Sequence, residues 1–66
     1  MPQFKIQVSD TKGKYAAQVF QVEAEQEFLA YATATELYIK AVGHPARKPT
    51  QRMSSYYARF WNKVVA

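Results

Sequence analysis

MSSYYARFWNKVV, Met53 to Val65, is the stretch whose reading decides the fold. As a helix it is well patterned. Met53, Tyr56, Tyr57, Phe60, Trp61 and Val64 fall within an arc of about 140° at 100° per residue, and Thr50 stands where a cap belongs. As a strand it puts Tyr56, Ala58, Phe60 and Val64 on one face and Tyr57, Arg59, Trp61 and Lys63 on the other. Two arguments favour the strand. Tyr, Phe, Trp and Val are all enriched in sheets, and a lone two-stranded hairpin is marginal in water until a third strand widens it. The expected architecture is α+β: a small ββαβ domain, a three-stranded antiparallel sheet with one helix packed on one face. The alternative is ββαα, with a C-terminal helix.

The segments upstream supply the partners for that tail. QFKIQVS, over 3–9, alternates cleanly, so Phe4, Ile6 and Val8 share a face opposite Lys5, Gln7 and Ser9. Asp10-Thr11-Lys12-Gly13 reads as a tight turn, with Asp suited to its first position and Gly13 to a positive φ. A return strand is expected over 14–24, where Phe20, Val22 and Ala24 continue the inner face and Tyr15, Ala17, Val19 and Gln21 lie outside. A helix follows over 25–42. Phe28, Tyr31, Ala32, Thr35, Ile39 and Val42 recur at three- and four-residue steps, which predicts the buried stripe. Its start has no strong cap, although Glu25 and Glu27 suit the positive end of the helix dipole. Gly43 and Pro45 end it. Tyr31 and Tyr38 read as edge residues, and Leu29 and Leu37 fall off the stripe on the charged side.

Composition narrows the classes. A chain of 66 residues makes a single domain and buries only about 60% of its unfolded surface. It has no cysteine, so disulfide staples and Cys-based zinc sites are excluded. No run approaches the roughly 18 apolar residues of a membrane span, and MPQFKIQVSD lacks the apolar core of a signal peptide. A soluble, cytoplasmic protein is expected. The only histidine, His44, sits in a basic loop without a carboxylate nearby in sequence, and Ser54-Ser55 has no nucleophile motif around it. Neither an enzyme nor a cofactor or metal site is expected.

Charge is segregated. From residue 43 onward stand Arg47, Lys48, Arg52, Arg59 and Lys63 with no acid, whereas Glu23, Glu25, Glu27 and Glu36 crowd the helix region against Lys40. The basic loop over 43–52, with Arg47, Lys48 and Arg52 between prolines, suits phosphate contacts. In the strand reading Tyr57, Arg59, Trp61 and Lys63 join Lys5, Gln7 and Tyr15 on an open sheet face, an aromatic and cationic platform for unpaired bases. The expectation is therefore a non-enzymatic nucleic-acid-binding module using these seven residues from 47 to 63. The same surface suits an acidic patch of a larger host protein, as in a phage- or mobile-element-type inhibitor. A dimeric structural or adaptor subunit, meeting its copy through Leu29, Leu37 or a free strand edge, is the further alternative.

A hairpin carrying F-x-V-x-A (Phe20, Val22, Ala24) that leads into a helix and then a basic loop resembles two unrelated groups. One is a class of small ribosomal proteins; the other is the short phage-encoded inhibitors of host enzymes. The likeness is one of architecture and carries no site residues across.

Overall fold

Alternation in the first ten residues builds the centre of the sheet. In a computed structural model describing residues 2–65, β1 spans Gln3–Asp10 and β2 spans Gln18–Glu23. They pair antiparallel, with Gln3 opposite Glu23 and Val8 opposite Gln18. β3, Phe60–Val65, lies antiparallel on the other side of β1, from Lys5 opposite Val65 to Asp10 opposite Phe60. The order is β2-β1-β3. Between β2 and β3 come α1, Glu27–Val42, and α2, Met53–Ala58. This is the expected ββαβ domain, a three-stranded antiparallel sheet with one packed helix, plus one short helix before the last strand.

The tail thus divides between both readings, and the length of β1 explains the division. β1 ends at Asp10, where Phe60 is already paired. Residues before Phe60 run past the end of the only strand that can accept their backbone bonds. A backbone without a sheet partner satisfies itself by coiling, and Met53–Ala58 does so. Within β3 the expected alternation holds: Phe60 is buried, Trp61 is 53% exposed, and Asn62 is half-buried.

The hairpin is looser than the sequence suggests. Gly13 has φ 71° and its N–H reaches the Asp10 carbonyl at 3.0 Å, as the turn chemistry requires. Pairing, however, resumes only at Gln18, not at Lys14. The intervening residues wrap around the Asp10 side chain instead.

The helix meets the sheet on a different stripe from the one periodicity favours. Ala30, Ala34, Thr35, Tyr38 and Ile39 are buried, with Tyr31 and Val42 half-buried, whereas Phe28 is 63% exposed and Ala32 faces solvent. Volume decides this. The sheet already brings Phe4, Phe20 and Phe60 to the interface, so the helix side that fits is the one with small residues. Ala30 and Ala34 let the helix backbone settle close. Tyr38 then extends through the core, its ring edge-on to Phe20 at 6.4 Å and to Phe60 at 5.7 Å. Its hydroxyl donates to the Ala16 carbonyl at 2.9 Å. The stop signals act as read: Gly43 has φ 72°, and the N–H groups of Gly43 and His44 both reach the Ile39 carbonyl at 3.1 Å. The start, at Gln26, has no side-chain cap.

Replacing Ala34 with Leu should destabilise the fold by about 1–3 kcal/mol through overpacking. Phe28→Ala, although it removes a whole ring, should stay within about 0.5 kcal/mol. Urea denaturation followed by circular dichroism distinguishes this stripe from the one expected from periodicity, which reverses the ranking.

Candidate functional site

Asp10 organises one end of the molecule. Its side chain is fully buried, and its two oxygens accept five N–H groups. Oδ1 takes Lys12 N at 3.0 Å and Arg59 Nε at 3.1 Å. Oδ2 takes Lys14 N at 2.9 Å, Tyr15 N at 3.3 Å and Arg59 NH2 at 3.3 Å. The Arg59 contact is bidentate, the strong form of an ion pair. The bonds from Arg59, above all, hold the Asp10 carboxyl down at about 2 against the ordinary 3.8, with the Lys12 and Lys14 N–H groups adding to them and burial opposing. Thr11 completes the knot from the turn side. Its N–H and hydroxyl both donate to the Arg59 carbonyl, at 2.9 and 2.6 Å. The turn after β1 and the entry to β3 are therefore one unit.

The loop over 43–52 folds back onto that unit. The His44 ring sits edge-on to Tyr15 at 5.9 Å, Tyr56 at 5.4 Å and Phe60 at 5.1 Å. The Tyr56 hydroxyl donates to the Pro45 carbonyl at 3.1 Å, and the Arg47 guanidinium to the Gln51 carbonyl. This docking leaves an open depression of about 460 Å³ lined by Lys14, Tyr15, His44, Lys48, Tyr56 and Arg59, among others. Lys12 lines the adjoining hollow with His44 and Arg59, and Lys14 Nζ stands 5.5 Å from the centre of the Tyr15 ring. Asp10 is neutralised by Arg59, and Glu36 lines a further hollow on the α1 side with His44 and Arg47. Glu23, Glu25 and Glu27 lie at the opposite end, around the close of β2 and the start of α1.

The seven residues singled out from sequence do not form one surface. Trp61 and Lys63 stand on the open sheet face, opposite Ser9 and Gln7, with Lys5 on the same face. Arg47, Lys48 and Arg52 are exposed on the loop and at the start of α2. Tyr57 is not on the open face. It belongs to α2, half-buried, with its ring 5.1 Å from that of Tyr56 and its hydroxyl bonded to Glu36, which with burial raises its pKa. Helical backbone through residue 58 breaks the two-residue alternation that placed it outside. Arg59 also turns away from the open face to hold Asp10, leaving its side chain 22% exposed. Tyr15 lies outside β2 and packs against His44.

Beside the depression the structure adds Lys12 and Lys14. A turn containing two lysines was visible in the sequence. Nothing in the linear order shows that a loop more than 30 residues later closes over it. Among the described residues no group of three or more His, Cys, Asp or Glu is placed to hold a metal ion, and no helix is long and apolar enough to cross a membrane. Compared with protein-family models, curated proteins and solved structures, the chain matches none.

Asp10 is depressed in the fold, so its contribution to stability is complete above its unfolded value of 3.8 and is lost as pH falls toward about 2. Thermal melts should show the melting temperature of the native chain falling through that window. Asp10→Asn should be less stable at neutral pH and much flatter below pH 4.

Proposed function

We propose that this is a non-enzymatic, cytoplasmic nucleic-acid-binding module that holds a single-stranded backbone at its basic end, beside an exposed stacking residue. One observation carries the reading. Three cations, Lys12 and Lys14 from the turn and Lys48 from the loop, line adjoining hollows at one end from two remote parts of the chain, and Arg47 and Arg52 are exposed on the same loop. Phosphates are drawn to such a patch by charge alone, and displaced counterions drive the association.

Roles follow from position. Lys14 and Lys48 rim the depression, where a phosphate can be approached from both sides. His44 and Tyr15 form its aromatic wall. Trp61 lies on the sheet face at the same end, since its partner Ser9 immediately precedes Asp10. A base stacked there continues a backbone held by the cations, with Lys63 and Lys5 behind it. Arg59 positions the turn, and Tyr57 braces α2 against α1. Neither needs to touch the ligand.

Anisotropy titrations with labelled single-stranded RNA and DNA test this. If the five cations engage, log K should fall against log salt with a slope of roughly −3.5. Lys14→Glu with Lys48→Glu should flatten that slope by about 1.4, the share of two phosphate contacts. Trp61→Ala should weaken binding by about 1–3 kcal/mol with the slope unchanged. Binding that ignores salt, or retention of an acidic protein and no oligonucleotide, overturns the reading.

A further inference from the structure

β3 forms one edge of the sheet, and among the described residues no strand pairs with its outer side. Natural proteins usually blunt such an edge with proline, a bulge, inward-pointing charge or lysine. FWNKVV has only the last of these, Lys63, which points to the open face and leaves the helix side of the edge without a charge. Beside the edge, on the helix side, runs an apolar groove of about 400 Å³. Tyr31, Ala32, Thr35, Met53, Tyr57 and Asn62 line it, with Glu36 at its margin. Met53 is 59% exposed, and Phe28, one turn before Ala32 on α1, is left bare by the stripe the helix buries. Val64, on the helix side of β3, is also exposed.

We propose that a second copy of this chain occupies that edge, pairing β3 with β3 antiparallel about a two-fold axis through Asn62. Three features select a copy rather than another occupant. The first is register. Residues directly opposite across an antiparallel pair share a face, so a two-fold pairing of β3 centres on a residue. Centring on Lys63 sets two lysines against each other, which is unfavourable. Centring on Asn62 sets Trp61 of each copy opposite Lys63 of the other, a cation–π pair repeated twice, and Phe60 opposite Val64 on the inner side.

The second feature is charge. Antiparallel pairing brings the lysine- and arginine-rich end of each copy alongside the glutamate-bearing end of its mate, the favourable arrangement of two polar bodies. The third is space. α1 packs over β1 and β2, so four strand spacings of about 4.8 Å set the two α1 helices roughly 19 Å apart on a six-stranded sheet. Packed helices sit about 8–10 Å apart. The remaining gap lies over the groove, where Phe28, Met53 and Val64 of both copies are available to fill it. The outer face, with Trp61 and Lys63, stays open and is doubled in width.

The whole chain, freed of nucleic acid by nuclease and high salt, is followed by sedimentation equilibrium from about 1 μM to 1 mM, the range in which a modest interface is detected. The mass should rise with concentration from 7.6 kDa toward twice that value. Val64→Lys puts two charges into the seam and should raise the dissociation constant at least tenfold, with an unchanged circular-dichroism spectrum. Because the chain has no native cysteine, register is read separately. Asn62→Cys should cross-link to itself under mild oxidation, and Lys63→Cys should not. A mass that stays at 7.6 kDa throughout, or cross-linking by Lys63→Cys in preference to Asn62→Cys, overturns the proposal. The salt slope carried by Lys14 and Lys48, which lie at the basic end and outside the seam, is read separately from either result.

Discussion

One buried carboxylate holds the two halves of this chain together. Asp10 gathers the N–H groups of its own turn and the guanidinium of Arg59, 49 residues away, into a single cluster. A buried charge is costly unless its lone pairs are filled, and here five donors fill them. The consequence reaches past the ion pair itself. Arg59 stands between α2 and β3, so anchoring it fixes where the last strand begins, and with it which side chains of that strand face the helix. The same cluster halts the β1–β2 ladder and shapes the lysine-bearing turn. Sheet register and basic surface therefore share one cause.

Much of the fold was legible because alternation and stop signals are local properties. Phe4, Ile6 and Val8 on one side of β1, Gly43 at the end of α1 and Phe60 against Trp61 in β3 all behave as their spacing implies. What was not legible depended on length or volume compared across elements. The choice between strand and helix for Tyr56 and Tyr57 turned on where β1 runs out, which is a property of the partner. The rotation of α1 turned on which face offers the smaller side chains, because three phenylalanines come from elsewhere. Arg59 read as a surface cation because nothing near it in sequence is acidic. Its partner is the residue that seemed only to make a turn.

The candidate site shows the same division. Arg47, Lys48, Arg52, Trp61 and Lys63 are exposed as composition suggests, since charged side chains and strand alternation put them there. The placing of the loop comes from His44, which lodges among Tyr15, Tyr56 and Phe60 and draws the loop against the turn. An aromatic cluster of this kind fixes a loop that its prolines alone would only stiffen. The cations are thereby held by the fold before anything binds, which reduces the ordering cost of binding.

Opposite poles on a body 35 Å long also matter before any contact is made. In the field of a polyanion such a molecule feels a torque as well as an attraction, so it turns during diffusion and arrives lysine end first. If the chain binds nucleic acid as proposed, the glutamates around the start of α1 would set how often an encounter is correctly oriented. They would act on the speed of capture, leaving the lifetime of the complex to the cations and the indole.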